Sequence, residues 1–135
     1  MKFVCLGYAD HGKFQSMSEQ ELQQTIDDCF AYDDILRSGG HFAGGEALED
    51  ASKAVTLRYR DGQIQATDGP YAETKEQIGG ILILEADSME HAVELISKHP
   101  GVRIGPFEIR PADEQINEML DQRNQRFEQQ VQKES

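Results

Sequence analysis

The sequence predicts an α+β protein with a ferredoxin-like antiparallel sheet, of order β-α-β-β-α-β, that carries an extended middle hairpin. Three observations predict this class. Strand and helix patterns alternate as β-α-β-β-β-α-β over residues 1–112, Asp61-Gly62 separates two alternating strands, and residues 81–86 are apolar almost throughout. A chain of 135 residues is long enough for one domain with a core.

The first strand and the first helix have clear local signals. "KFVCLGY" (2–8) is rich in apolar and aromatic residues, which is typical of a strand. Ser18 with Glu21 three residues later forms a capping box at the start of a helix, and "SGG" (38–40) ends it. The apolar residues recur at helical spacing: Leu22, Ile26, Cys29, Phe30 and Leu36.

The middle of the chain permits a register argument. "HFAGGEAL" (41–48) predicts a strand with a bulge at its glycines, and "AVTLRYRDGQIQAT" (54–67) predicts a hairpin. If Asp61 and Gly62 are the loop residues, Val55 pairs with Asp68. One face then carries the following side chains: Val55, Leu57, Tyr59, Ile64, Ala66 and Asp68. We expect this mainly apolar face to be covered, so that Asp68 points inward.

The strand "ILILEA" (81–86) predicts burial on both faces of the sheet. A helix follows with a capping box of Asp87 and Glu90, and "GPFEIRP" (105–111) is the last strand. Two helices cover only one face of such a sheet. The second face needs another cover, so we predict a homodimer in which the sheets of two subunits meet.

The last segment, residues 113–135, is predicted to be a polar helical tail outside the domain of residues 1–112. Its apolar stripe is sparse. A tail that lies on its own subunit is favoured over a dedicated partner-binding helix.

Composition excludes several classes of function. Thirteen Lys and Arg against 25 Asp and Glu give a net charge of −12, which argues against nucleic-acid binding. Cys5 and Cys29 have no metal-ligand spacing and are interpreted as buried free thiols of a reducing compartment. No signal peptide and no apolar run of membrane length is apparent, so we expect a cytoplasmic protein without membrane contact.

Candidate site residues cluster at predicted strand ends and in "DGPYAETKEQIGG" (68–80). An inward-facing Asp68 suits a general base, because desolvation raises a carboxyl pKa. The alternative is that Asp68 caps its own turn, which lowers the pKa. His41 is the second catalytic candidate, with a strand-end hydrogen bond as its alternative. The candidate pocket-wall residues are Glu46, Tyr71, Glu73 and Lys75.

The other histidines and possible metal sites give weaker signals. His91 and Glu94 are three residues apart on an exposed helical face, where solvated polar residues are far commoner than metal ligands. His11 and His99 are interpreted as loop residues, because each stands beside glycine or proline. No metal and no organic cofactor is expected.

The stretch "DGPYAETKEQIGG" resembles the signature of the YCII-related proteins, in particular of their DGPF subgroup, with Tyr71 in place of the phenylalanine. The resemblance extends over residues 1–112, including "GGEAL" (44–48) and "FEIRP" (107–111). It implies a dimeric α+β barrel, and it implies an active pair of an aspartate before glycine and a histidine on the first helix. Asp68 matches that aspartate, whereas residues 18–38 contain no histidine.

Two functions remain open at this point. The first is binding or sensing of a small metabolite in a pocket, and the resemblance implies a link to sigma-factor stress circuits. The second is a cofactor-independent enzyme with Asp68 as base, because more distant relatives include a dehydrochlorinase and muconolactone isomerase. The absent helical histidine favours binding slightly.

Overall fold

The computed structural model describes residues 1–134 and contains two antiparallel sheets. The strands are β1 (Lys2–Asp10), β2 (Phe42–Ala47), β3 (Val55–Arg60), β4 (Gln63–Asp68), β5 (Glu76–Glu85) and β6 (Phe107–Pro111). The four-stranded sheet has the order β2-β5-β1-β6, and β3 and β4 form a two-stranded sheet of their own. All strand pairs are antiparallel. This order confirms the predicted ferredoxin-like plan with an inserted hairpin.

Four helices accompany the strands: α1 (His11–Gln15), α2 (Glu19–Ser38), α3 (Met89–Ser97) and α4 (Glu114–Glu134). Short 3-10 turns occupy Ala51–Lys53 and Pro100–Arg103. The predicted cap of α2 is confirmed, because the Ser18 hydroxyl accepts a hydrogen bond from the Glu21 amide at 3.1 Å. The predicted Asp87 cap of α3 is wrong, since Ser88 accepts the His91 amide at 3.1 Å.

The hydrophobic core lies between α2, α3 and one face of the four-stranded sheet. Its buried members are Phe3, Cys5, Leu36, Leu82, Leu84, Ala86, Ala92 and Ile96. Pairing of β1 with β5 sets Val4 opposite Ile83 and Leu6 opposite Ile81 on the other face. These four apolar side chains are only half-buried within one chain.

The hairpin of β3 and β4 has the predicted register, with Val55 opposite Asp68 and Tyr59 opposite Ile64. The expected cover over its apolar face is absent within the described chain, which corrects the prediction that Asp68 points inward. Leu57 is 66% exposed and Tyr59 is 72% exposed. The reason is that the hairpin is not hydrogen-bonded into the four-stranded sheet, so the helices that cover that sheet do not extend over it.

The polar stretch "DGPYAETKEQIGG" is shorter as a loop than the sequence suggested. Strand β5 begins at Glu76. The last five residues of the polar stretch, 76–80, therefore already pair with β1 or lie in the bulge beside Gly7. The loop proper is residues 69–75. Its base is fixed by the Gly69 amide, which donates to the Ala54 carbonyl at 2.7 Å, and by the Thr56 hydroxyl, which donates to the Gly69 carbonyl at 2.8 Å.

The C-terminal tail is helical from Glu114 to Glu134, and Ser135 lies outside the described residues. All described side chains of α4 are exposed, including Leu120 at 54% and Phe127 at 64%. Among the described helices, none is long and apolar enough to cross a membrane.

We predict that the second face of the sheet, with Val4, Leu6, Ile81 and Ile83, joins two subunits. Ile83→Lys should then give a monomer, because a charge on that face would be desolvated in the dimer. Light scattering at micromolar concentration measures the mass. The control is Val93→Lys, which changes an apolar residue that is 49% exposed on α3. A monomeric wild-type protein would contradict the prediction.

Deletion of residues 114–135 should change the free energy of unfolding by less than about 1 kcal/mol, because the described side chains of α4 bury little apolar area. Urea unfolding of both forms measures the difference. A larger loss, or a change of oligomeric mass, would show that α4 belongs to an interface.

Candidate functional site

A groove of about 690 Å³ lies between α2 and the helix-covered face of the sheet. Part of its floor is a cross-strand row without bulky side chains, because Gly7 pairs with Gly80 and Gly80 pairs with Ala47. A Cβ atom on Gly7 would come within 3.2 Å of the Phe107 ring, and one on Gly80 within 3.3 Å of the Glu46 carbonyl oxygen. Both contacts are tight: the Phe107 ring packs over Gly7 and the backbone of β2 lies close to Gly80, so neither position has room for a side chain.

The walls of the groove are mainly apolar. They include the aromatic residues Tyr8, Phe14, Phe30, Phe42 and Phe107. The aliphatic lining includes Leu22, Ile26, Leu48, Leu82 and Ile104. An apolar cleft with a few polar groups is the usual form of a small-molecule site.

A histidine–aspartate pair is part of this lining. His99 Nε2 lies 3.1 Å from Asp33 Oδ1, across 66 residues of sequence. The two side chains are 9% and 18% exposed. The other ring nitrogen, Nδ1, accepts a hydrogen bond from the Gly101 amide at 3.0 Å.

The Gly101 hydrogen bond determines the tautomer of His99. A backbone N–H is always a donor, so Nδ1 carries no proton and Nε2–H donates to Asp33. The imidazole is therefore neutral in this arrangement, and Asp33 accounts for the charge of the pair. Among the described residues, Asp33 Oδ2 receives no hydrogen bond from the protein.

Local structure holds the pair in place. His99 is the N-cap of the 3-10 turn Pro100–Arg103, and its ring packs near Tyr32 (centroids 5.5 Å apart) and Phe107 (5.4 Å). The Tyr32 hydroxyl donates to the Leu95 carbonyl at 2.5 Å, which ties α2 to α3. Asp33 projects from α2 one turn after Cys29.

The groove contains two thiols and one arginine besides the pair. Burial raises the pKa of Cys5 to about 11. Burial also raises the pKa of Cys29, and the Asp33 and Asp28 carboxylates add to the rise while the Gly101 amide opposes it. Both cysteines are thus neutral thiols near pH 7, unsuited to act as nucleophiles.

Arg37 is engaged by two neighbours at the rim of the groove. Its Nη1 lies 2.7 Å from Asp34 Oδ1, and its guanidinium carbon lies 4.1 Å from the centroid of the Phe42 ring. Its charge is therefore already paired and partly stacked on an aromatic face.

The structure places Asp68 outside this groove. It ends β4 with an exposed side chain, and no hydrogen bond from the described residues reaches its carboxylate. The expected turn cap is therefore absent as well, since the turn is held by Thr56 and by the Gly69 amide. A catalytic role for Asp68 stays a prediction.

The remaining predicted site residues do not converge. His41 Nδ1 donates to the Glu85 carbonyl at 2.9 Å, which is the strand-end hydrogen bond considered as its alternative. Glu46 does lie at the groove, although its pairing with Ile81 directs its side chain to the opposite face of the sheet.

The three residues of the polar loop are exposed and outside the groove. Tyr71 is 81% exposed, and Arg58 lies over its ring at 5.6 Å. Lys75 Nζ lies 3.7 Å from Asp10 Oδ2. Glu73 is an exposed loop side chain.

Sequence reasoning missed both members of the pair, although one signal was present. Asp33 continues the spacing of Leu22, Ile26 and Cys29 and precedes Leu36 by three residues, so a carboxylate interrupts the apolar stripe of the helix. A polar residue in such a stripe needs a partner. The described residues contain no group of three or more His, Cys, Asp or Glu arranged to hold a metal ion.

Comparison with known proteins places the chain in a family. The model of the YCII-related domain matches residues 1–115. This chain belongs to the YCII-related domain family. An uncharacterised protein of Rhizobium meliloti (strain 1021) is 29% identical over 115 residues, which are 82% of this chain and 91% of that protein. The family domain thus ends as α4 begins, and the groove lies wholly within it.

A solved structure is also similar to this YCII-related chain. It is 5-chloro-2-hydroxyhydroquinone dehydrochlorinase from Burkholderia phenoliruptrix AC1100, in complex with 2,5-dihydroxybenzoquinone. The sequence identity is 18% and the TM-score is 0.49, with 84% of this chain and 94% of that chain covered.

His99→Ala should lower the free energy of unfolding by about 2–4 kcal/mol, because it opens a cavity and leaves the Gly101 amide and Asp33 without their partner. The control is His11→Ala. The His11 side chain is 60% exposed, so its removal should change the free energy of unfolding by less than about 0.5 kcal/mol. Urea unfolding measures both. Equal effects of the two substitutions would show that the pair contributes little to stability.

Proposed function

We propose that this YCII-related protein binds a small organic molecule in the groove between α2 and the glycine floor of the sheet. The observation that carries the proposal is the Asp33–His99 pair in the lining of an otherwise mainly apolar cleft. Ligand sites typically combine about 300–1,000 Å³ of space with mostly apolar walls and a few oriented polar groups. The groove, at about 690 Å³, falls in that range.

The aromatic residues of the lining support a ligand with a planar body. Gly7 and Gly80 add no bulky side chain of their own to the sheet, and the Phe107 ring packs over Gly7. A planar frame can lie against such a surface with its edge toward Asp33. Binding or sensing of a metabolite is therefore the function that this arrangement favours. A connection to a sigma-factor circuit rests on the family resemblance alone.

A second candidate is cofactor-independent acid–base catalysis, and the free Asp33 Oδ2 favours it. His99 holds one carboxylate oxygen and leaves the other able to accept a proton from a bound substrate. Asp68, the base expected from the sequence, lies outside this groove. It would have to act across a subunit interface.

Thr25→Trp should abolish binding of the neutral dye Nile red in the groove, because Thr25 lines the groove from α2 and an indole there fills it. The control is Gln24→Trp. The Gln24 side chain is exposed and hydrogen-bonded to Asp28 at 2.8 Å, so an indole at this position should leave dye binding unchanged. Dye fluorescence in titration with each variant measures binding. Unchanged dye binding by Thr25→Trp would count against the groove as the site.

A further inference from the structure

The charge of the Asp33–His99 pair indicates which chemical class of ligand the groove binds. This inference rests on the proposed function. A histidine beside an aspartate is often a neutralised ion pair. Here the Gly101 amide occupies Nδ1 as a donor, so the imidazole stays neutral. With Asp33 ionised, the pair carries a net charge of about −1 in a lining where the carboxylate is 18% exposed.

Among the described residues that line the groove, Arg37 is the one lysine or arginine. Arg37 is four residues further along α2, but it pairs with Asp34 at 2.7 Å and stacks on Phe42. Asp28, beside Cys29 on the same helix, adds a second carboxylate and no counter-charge. A partly buried carboxylate without a counter-charge favours a cation that arrives from solution.

The surroundings of the carboxylate suit an organic cation better than a metal ion. The lining offers several aromatic rings, and the faces of aromatic rings attract ammonium groups. It lacks the cluster of three acidic, histidine or cysteine side chains that a metal site in the described chain would need. The net charge of −12 also attracts small cations toward the protein and repels anions.

We infer that the ligand is an organic amine, with a protonated primary or secondary nitrogen on an apolar, planar frame. The frame occupies the apolar groove, and an N–H of the ammonium donates to Asp33 Oδ2. Carboxylates and phosphates of the same size are excluded, because the polar end of the groove offers them an acceptor where they need a donor.

The experiment compares three probes that share one bicyclic ring: 1-naphthylmethylamine, 1-naphthalenemethanol and 1-naphthoate. Each is titrated at pH 7 into the ¹⁵N-labelled full chain, and the amide resonances of Gly80 and Gly101 report occupancy of the groove. We expect the amine to bind at least about tenfold more tightly than the alcohol, and the carboxylate not to bind.

Asp33→Asn tests the role of the carboxylate. The amide oxygen can still accept from His99 Nε2–H, so the fold is retained, whereas the free acceptor oxygen becomes a donor. The preference for the amine should vanish while the alcohol still binds. The control is Asp27→Asn, which removes the same charge from an exposed side chain of α2 and should keep the preference.

The outcomes separate the two proposals. If the alcohol or the carboxylate binds to the groove as well as the amine does, the amine inference is overturned and small-molecule binding stands. If none of the three probes shifts the groove amides, both proposals fail. Retention of the amine preference in Asp33→Asn would also overturn the inference, because the carboxylate would then not be the recognition group.

Discussion

The pairing of β1 with β5 is the interaction on which the rest of the structure depends. Toward one end, Phe3 pairs with Leu84 and Cys5 with Leu82, and these four side chains form the centre of the core. Toward the other end, the same two strands bring Gly7 opposite Gly80, a pair without side chains that lies at the groove. One ladder of hydrogen bonds therefore supports both the packed part and the hollow part of the domain.

Helix α2 spans both parts: it packs in the core at one end and lines the groove along the rest. Near its C-terminus Leu36 is fully buried in the core, while Asp33, Cys29 and Thr25 line the groove. The carboxylate is costly within an apolar stripe, and its hydrogen bond with His99 offsets part of that cost. A groove that holds an incompletely partnered acceptor is typical of a site where stability is sacrificed to binding.

Much apolar surface is left uncovered by a single chain. The second sheet face, the apolar face of the hairpin and the stripe of α4 are all exposed or half-exposed. Exposed apolar faces of this kind commonly mark contacts with another protein, which is the physical basis for expecting a second subunit. That subunit would also decide whether Asp68, exposed at the end of β4, comes near a groove.

The sequence by itself determined the elements whose causes are local. Alternation and the Asp61-Gly62 turn gave the register of the hairpin to the residue, and Ser18 with the glycines after Ser38 bounded α2. These features depend on residues within a few positions of each other, so their signals are contained in short windows of sequence. The stretch "DGPYAETKEQIGG", which carries the family resemblance, is likewise a short window of sequence.

Only the tertiary structure decided which faces are covered and which polar residues meet. The hairpin has an apolar face in sequence, but whether anything lies over it depends on elements far along the chain. His99 seemed a loop residue beside Pro100, and Asp33 one of many helical acids, because their hydrogen bond spans 66 residues. The fold joins them by packing the turn after α3 against α2, and no local pattern records that contact.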